Sequence, residues 1–250
     1  MSSVAAPRPF PAMVGYAVRV CVPVRRWFVL ALPAVGAVLF GLLSRAIDLP
    51  TAEEQFAAIV GEALFALVLP LACLVVGDAV LGAEVRSGTF SLTWLSPVPF
   101  VQIVGARWLA GWALSCAVLV PAHVLAALVA GVPEAIGPLV LATVAGAAAY
   151  IGMFVFIGAT VRRAALWSLA IVLLGERLLG AALSGIAQLS PQWEARQVYA
   201  VLGPGAEDQL LRSGLPSGWG AVVRLAVLTA VWVALATWRV RKLKLTGKDE

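Results

Sequence analysis

Residues 56–80 read FAAIVGEALFALVLPLACLVVGDAV, an apolar run of 25 residues whose only charges are Glu62 and Asp78. A helix needs about 20 such residues to cross the ~30 Å hydrocarbon core of a bilayer, so this run is long enough to span one. The whole chain has the same character: 62% of its 250 residues are hydrophobic and 12% are charged. A soluble domain is about 45–50% apolar and about 25% charged. The composition therefore predicts a membrane protein, because one small core could not hide so much apolar surface.

Six segments are long and apolar enough to be membrane spans. We expect an all-α integral membrane protein, a single transmembrane domain over residues 1–250, with spans at 27–43, 56–80, 108–132, 137–160, 164–189 and 220–238. The connections predict an N-terminal interfacial helix, a short cytoplasmic helix and a long external loop, at residues 10–26, 82–100 and 190–219 respectively. No small-residue cleavage site follows the first apolar run, so we expect that run to remain as a span.

The basic residues predict the orientation. Thirteen of the 18 lie on one side, in the N-terminal segment, the second-to-third link, the fourth-to-fifth link and the C-terminal tail. Four lie on the other side, and Arg177 falls inside a span. Because cytoplasmic loops carry the excess of lysine and arginine, both termini are predicted to be cytoplasmic in a cell membrane. The same residues border helix ends, where they would meet lipid headgroups, so the net charge of +5 does not indicate nucleic-acid binding.

The cytoplasmic link carries the pattern of a short helix. Gly88 permits a turn, and Thr89 can cap a helix that begins after it. Leu92 and Leu95 share one face at i, i+3 spacing, and Pro97 ends the helix. A rigid, half-apolar helix of this kind suits docking onto a soluble partner. A surface-lying linker without a partner is the alternative.

The cytoplasmic link contains, in order, Glu84, Gly88, Thr89, Leu92, Leu95 and Pro97, and Arg107 follows Pro97 by ten positions. The order and spacing of these residues resemble the signature of ABC-2 type transporter permeases. The resemblance covers the motif closely and the whole chain loosely. It implies that these residues couple the chain to an ABC ATPase subunit through a coupling helix, and that a second permease copy or a sister permease completes the path. The chain departs from the family pattern at residues 98–100, where many members carry a polar or basic pair.

The chain has no ATPase motif of its own. The phosphate-binding pattern GxxxxGK[S/T] requires a lysine after glycine, and the only such pair, Gly247-Lys248, is followed by Asp249. ATP and Mg²⁺ would therefore be bound by the partner ATPase. A single histidine leaves no Ser–His–Asp or HExxH arrangement, so we expect no catalytic residue, metal or cofactor on this chain.

Charged residues inside the spans are functional candidates, because each costs ~2.5–3.5 kcal/mol at a helix centre. Glu176 and Arg177 are neighbours in the fifth span and point about 100° apart, so each needs a partner from elsewhere. We predict Glu62 as the partner of Arg177, either as a packing ion pair or as part of a substrate path. Asp78 is expected to meet water or headgroups at the cytoplasmic end of its span, and His123 to be a hydrogen-bonded packing residue.

These features predict the membrane-spanning permease subunit of an ATP-driven ABC exporter with an amphipathic or hydrophobic substrate. The alternative is an ATP-independent secondary transporter or a membrane assembly scaffold, in which Glu62, Asp78, Glu176 and Arg177 form a proton or ion pathway. The two halves of the chain show none of the matched, interrupted helices of inverted-repeat transporters.

Overall fold

The computed structural model describes residues 9–21, 27–82, 84–85, 97–161 and 163–242, and these residues form helices and connecting turns without a β-strand. The main helices are α1 Pro9–Cys21, α2 Trp27–Ser44, α3 Ala52–Gly82, α4 Phe100–Ala130, α5 Ile136–Thr160, α6 Ala164–Ala182, α7 Pro191–Leu202 and α8 Trp219–Arg241. Shorter helices are Pro133–Ala135, Ser184–Ala187 and Glu207–Leu210.

Five helices are long and apolar enough to cross a membrane: α3, α4, the run Pro133–Thr160 that contains α5, α6 and α8. They indicate a multi-pass membrane protein, and the all-helical prediction is confirmed. The predicted first span corresponds to α2, an apolar helix of 18 residues. Within this helix, the apolar stretch Ala31–Ser44 is shorter than the ~20 residues that a membrane span needs.

Several helices begin or end at other residues than the sequence predicted. Helix α3 begins at Ala52 because Thr51 caps it, with the Thr51 hydroxyl accepting a hydrogen bond from the Glu54 amide at 3.2 Å. Helix α4 begins directly after Pro99, so Arg107 lies two turns inside the helix and not at its head. Helix α6 ends at Ala182, seven residues before the predicted end of the fifth span, because Leu183 has an extended backbone.

Helix α5 lies at the centre of the bundle and contacts α3, α4, α7 and α8, whereas α1 and α2 pack on α4. Small residues permit these approaches: a Cβ on Gly146 would lie 3.0 Å from Leu69 of α3 and 3.3 Å from Ala195 of α7. The approach of α2 to α4 is closer still, since a Cβ on Gly41 would lie 2.5 Å from the backbone oxygen of Ala126. These contacts agree with the close packing expected of glycine and alanine in spans.

Three stretches within the spans adopt the wider π-helical pattern: Val60–Val68, Asp78–Gly82 and Ile171–Leu179. The four charged residues singled out in the spans, Glu62, Asp78, Glu176 and Arg177, all lie in them. Pro70, which lacks an amide hydrogen, follows the first stretch two residues later. Because π segments are frequently found at functional sites, these four residues are candidates for a functional role.

Candidate functional site

The first candidate site, called here the inner cluster, consists of Tyr16, Val80, Glu84 and Arg107. The Arg107 guanidinium donates to both carboxylate oxygens of Glu84 at 2.7 Å and to the Val80 carbonyl at 3.0 Å. It also lies 5.2 Å from the ring centroid of Tyr16. Glu84 and Arg107 are 6% and 2% exposed, so this two-point ion pair is shielded from solvent. Charge-assisted bonds of this geometry are among the strongest in proteins.

The inner cluster joins three helices. Val80 lies in the last turn of α3, and Glu84 follows the end of that helix by two residues. Arg107 lies two turns inside α4, and Tyr16 belongs to α1. The two ends of the link between α3 and α4 are therefore held together by buried contacts. Residues so far apart in sequence meet because α1 and α3 both pack on α4.

The predicted coupling residues divide into two groups. Glu84 and Arg107 are in contact, and Pro97 is exposed just before α4. Gly88, Thr89, Leu92 and Leu95 lie outside the described residues. The short helix that they suggest stays a prediction.

The second candidate site, called here the outer cluster, surrounds α7 and the π segments of α3 and α6. Glu62 accepts from Arg196 of α7 at 2.6 Å and from Arg177 of α6 at 3.4 Å. The predicted contact between Glu62 and Arg177 is confirmed. The shorter contact, to Arg196, was not predicted, because Arg196 belongs to the segment expected to be a loop.

Helix α7 corrects the expectation of an external loop without an obvious element over residues 190–219. Ser190 caps it by accepting from the Trp193 amide at 3.3 Å, and Pro191 occupies the first turn. The helix is buried from Gln192 to Ala200 except for half-buried Trp193, and it packs on α3, α5 and α8. Arg196 binds Glu62, and the Gln197 amide donates to the Leu210 carbonyl and accepts from the Arg212 amide, so part of this polar sequence is paired although it is buried.

Glu176 is the buried carboxylate of the outer cluster. Its two oxygens accept from the Tyr150 hydroxyl at 2.5 Å and the Ser190 hydroxyl at 2.8 Å, and its backbone carbonyl accepts from the Trp193 indole at 3.0 Å. The neighbouring Arg177 points to Glu62 instead. Each of the two adjacent charges therefore has a separate partner, as the helical angle between them predicted.

The Trp193 ring also joins the end of α6 to the segment after α7. The guanidinium carbons of Arg196 and Arg212 lie 4.6 and 4.5 Å from its centroid. Arg212 donates to the carbonyls of Gly180 and Ala181 at 2.6 and 3.0 Å, which satisfies exposed carbonyls at the end of α6. Arg212 thus stabilises the early end of that helix.

Glu194, on another face of α7, is completely buried, and its carboxylate lies 3.4 Å from the Arg224 Nε of α8. Neither carboxylate oxygen has a hydrogen-bond donor among the described residues. Burial raises the pKa of Glu194 to about 7, although the positive charge of Arg224 acts in the opposite direction. A group with this pKa changes charge near neutral pH.

Two predicted polar residues, His123 and Asp78, remain to be placed. The ring of His123 shares a 2.7 Å hydrogen bond with the Thr143 hydroxyl and packs edge-on to Phe65, as expected of a packing residue. Asp78 is half-buried near the C-terminal end of α3. In the described part of the chain, no three His, Cys, Asp or Glu side chains are grouped as a metal site would require.

Neither a family model nor a curated protein matches the sequence.

Proposed function

We propose that the chain is the membrane-spanning permease subunit of an ATP-driven ABC exporter of the ABC-2 type. A separate ABC ATPase would bind ATP and Mg²⁺, and a second permease copy or a sister permease would complete the transport path. The observation that carries the proposal is the inner cluster. Two residues of the ABC-2-like signature, 23 positions apart in the sequence, form one buried ion pair at the base of the link that would contact the ATPase.

The inner cluster supports a mechanical role for this link. A force on the segment between Glu84 and Pro97 would reach α3 through Glu84 and α4 through Arg107. Because Arg107 also contacts Tyr16, α1 would move with them. A rigid connection at this point suits an element that converts ATP-driven closure of a partner into tilting of helices.

The proposed topology has six spans, with α2 as the first and both termini in the cytoplasm of a cell membrane. Its support is the unequal distribution of basic residues and the apolar composition of α2. In this orientation the link lies on the cytoplasmic side, where an ATPase can reach it, and α7 lies on the outer side.

The cargo proposed is amphipathic or hydrophobic. Helices α2 and α6 present large apolar side chains outward, including Leu32, Leu39, Leu174 and Leu178, and such faces meet lipid tails or a second permease. The exposed charges within spans are few. A path between two permeases built on these surfaces would suit a cargo with a large apolar part.

The experiment is co-purification of the chain with its ATPase, followed by measurement of ATP hydrolysis and transport in vesicles. Replacement of Leu92 by arginine is expected to abolish ATPase binding while the helices stay inserted. Val101→Arg is a control at an exposed position at the start of α4. Undisturbed assembly and coupling after replacement of Glu84, Gly88 and Leu92 would contradict the role proposed for the link.

An ATP-independent transporter remains the alternative, and the positions of the charged residues argue against a single ion pathway. Asp78 follows Glu62 by 16 residues, about 24 Å along a helix, and Glu176 bonds to hydroxyl groups away from Glu62. Transport driven by a pH gradient in vesicles without any ATPase would favour this alternative.

A further inference from the structure

Helix α7 is unusual because it is both polar and buried. Gln192, Glu194, Arg196 and Gln197 are at most 7% exposed, although they lie on a short helix between α6 and α8. A buried polar group without a partner costs about 1–3 kcal/mol, and a charged group costs more. The packed position of α7 against α3, α5 and α8 is called here its seat. The stability of α7 in this seat therefore depends on the charge and the partners of each of these side chains.

Glu194 is the residue of α7 whose buried charge is least compensated by its neighbours. Its carboxylate is fully buried, has no hydrogen-bond donor among the described residues, and lies 3.4 Å from the Arg224 Nε. Arg224 is a third exposed and also donates to the Gln188 side chain at 3.1 Å. Arg224 therefore offsets only part of the cost of burying a charge on Glu194.

The other charged groups around α7 have closer partners. Arg196 binds Glu62 of α3, Glu176 of α6 accepts from two hydroxyls, and Arg212 binds the end of α6. From α5 the titratable group is Tyr150, which donates to Glu176. Glu53 lies near Tyr199, and Glu207, on the next short helix, is exposed. Among the buried carboxylates around α7, Glu194 differs from Glu176 in that neither of its oxygens accepts a hydrogen bond from a described residue.

We propose that α7 is an acid-favoured lid over the outer half of the bundle, and that a proton on Glu194 holds the lid in its seat. The inference stands independently of ATPase coupling, because it depends only on contacts at the outer end of the molecule. When the lid lifts, Ser190 and Trp193 leave Glu176, which then becomes accessible from outside. The lid therefore controls exposure of the buried Glu176 carboxylate.

The direction of the pH effect follows from the raised pKa of Glu194, about 7 in the seated lid against 4.5 for an open carboxyl. The stabilisation by the proton is complete below about pH 4.5 and is lost as the pH rises through about 7. Across the whole range the opening equilibrium would change by up to about 300-fold, since each pKa unit corresponds to a factor of ten. Between pH 5.5 and 8.0 the expected change is roughly 30-fold.

Hydrogen exchange of the α7 amides, corrected for the intrinsic pH dependence of exchange, tests the proposal on the full chain in lipid nanodiscs. The opening constant of residues 191–202 should rise roughly 30-fold from pH 5.5 to 8.0, while α5 stays unchanged. In Glu194→Gln the rise should disappear, and in the control Glu207→Gln it should persist.

Two further variants keep the test decisive. Arg224→Met removes the charge that favours ionised Glu194, so the midpoint of opening should move to higher pH even if Glu194→Gln folds poorly. Glu176→Gln should retain the pH dependence. Equal protection of wild-type α7 at both pH values, or a pH dependence that vanishes in Glu176→Gln and persists in Glu194→Gln, would overturn the proposal.

Discussion

Separating Glu84 from Arg107 should destabilise the helix bundle strongly. Both side chains are buried, and two 2.7 Å charge-assisted bonds join them. Removing one partner from a buried ion pair leaves the other charge uncompensated and costs about 3–5 kcal/mol. We expect a loss of this size in the free energy of unfolding for Glu84→Gln and for Arg107→Met. The double variant should lose much less than the sum of the two, because no stranded charge remains.

The assay is a double-mutant cycle in mixed detergent micelles. Unfolding by increasing SDS fraction is followed by the fluorescence of the nine tryptophans, for wild type, both single variants and the double variant. A coupling energy of about 3 kcal/mol or more is expected, whereas distant residues add within about 0.3–0.5 kcal/mol. Additive single and double variants would refute the conclusion that this pair joins α3 to α4.

Two further predictions concern packing and the outer cluster. Gly41→Ala should destabilise the bundle by roughly 1–3 kcal/mol, because its Cβ would overlap the α4 backbone. Gly36→Ala in the same helix meets no atom within 4 Å and should be neutral or slightly stabilising; equal effects in SDS unfolding would contradict the α2–α4 contact. Arg196→Ala should lower the free energy of unfolding more than Arg177→Ala does. Arg196 is nearly buried and lies 2.6 Å from Glu62, whereas Arg177 is a third exposed and lies 3.4 Å from the same carboxylate. The same unfolding assay compares the two variants, and a larger loss for Arg177→Ala would reverse the assignment.

Five of the six predicted spans correspond to helices that are long and apolar enough to cross a bilayer, and apolar length can be read directly from a sequence. The contact between Glu62 and Arg177 was also predictable, since two charges at similar depth in apolar helices need each other. His123 forms a hydrogen bond with the Thr143 hydroxyl, the kind of contact expected of a packing residue.

Helix α7 was not predictable from polarity, because its buried polar residues find their partners far away in the sequence. Arg196 reaches Glu62 across 134 positions, and Glu194 meets Arg224 across 30. A local signal did exist: Ser190 followed by Pro191 is a typical helix start. The sequence alone could not indicate that this helix enters the bundle.

The end of α6 depended on tertiary contacts in the same way. Arg212 satisfies carbonyls at residues 180 and 181, so the helix can stop before its apolar sequence does. Likewise, Arg107 was expected to lie at the beginning of the third span. It lies inside α4 because Pro99 lets the helix begin earlier and Glu84 neutralises the buried charge.

ATP hydrolysis by the complex of this chain with an ABC ATPase, reconstituted in nanodiscs, tests the central claim most directly. The account predicts that the chain alone hydrolyses no ATP, that the complex does, and that Leu92→Arg removes the ATPase while Val101→Arg does not. A chain that binds no ABC ATPase, and that transports its cargo in vesicles without ATP, would contradict the account.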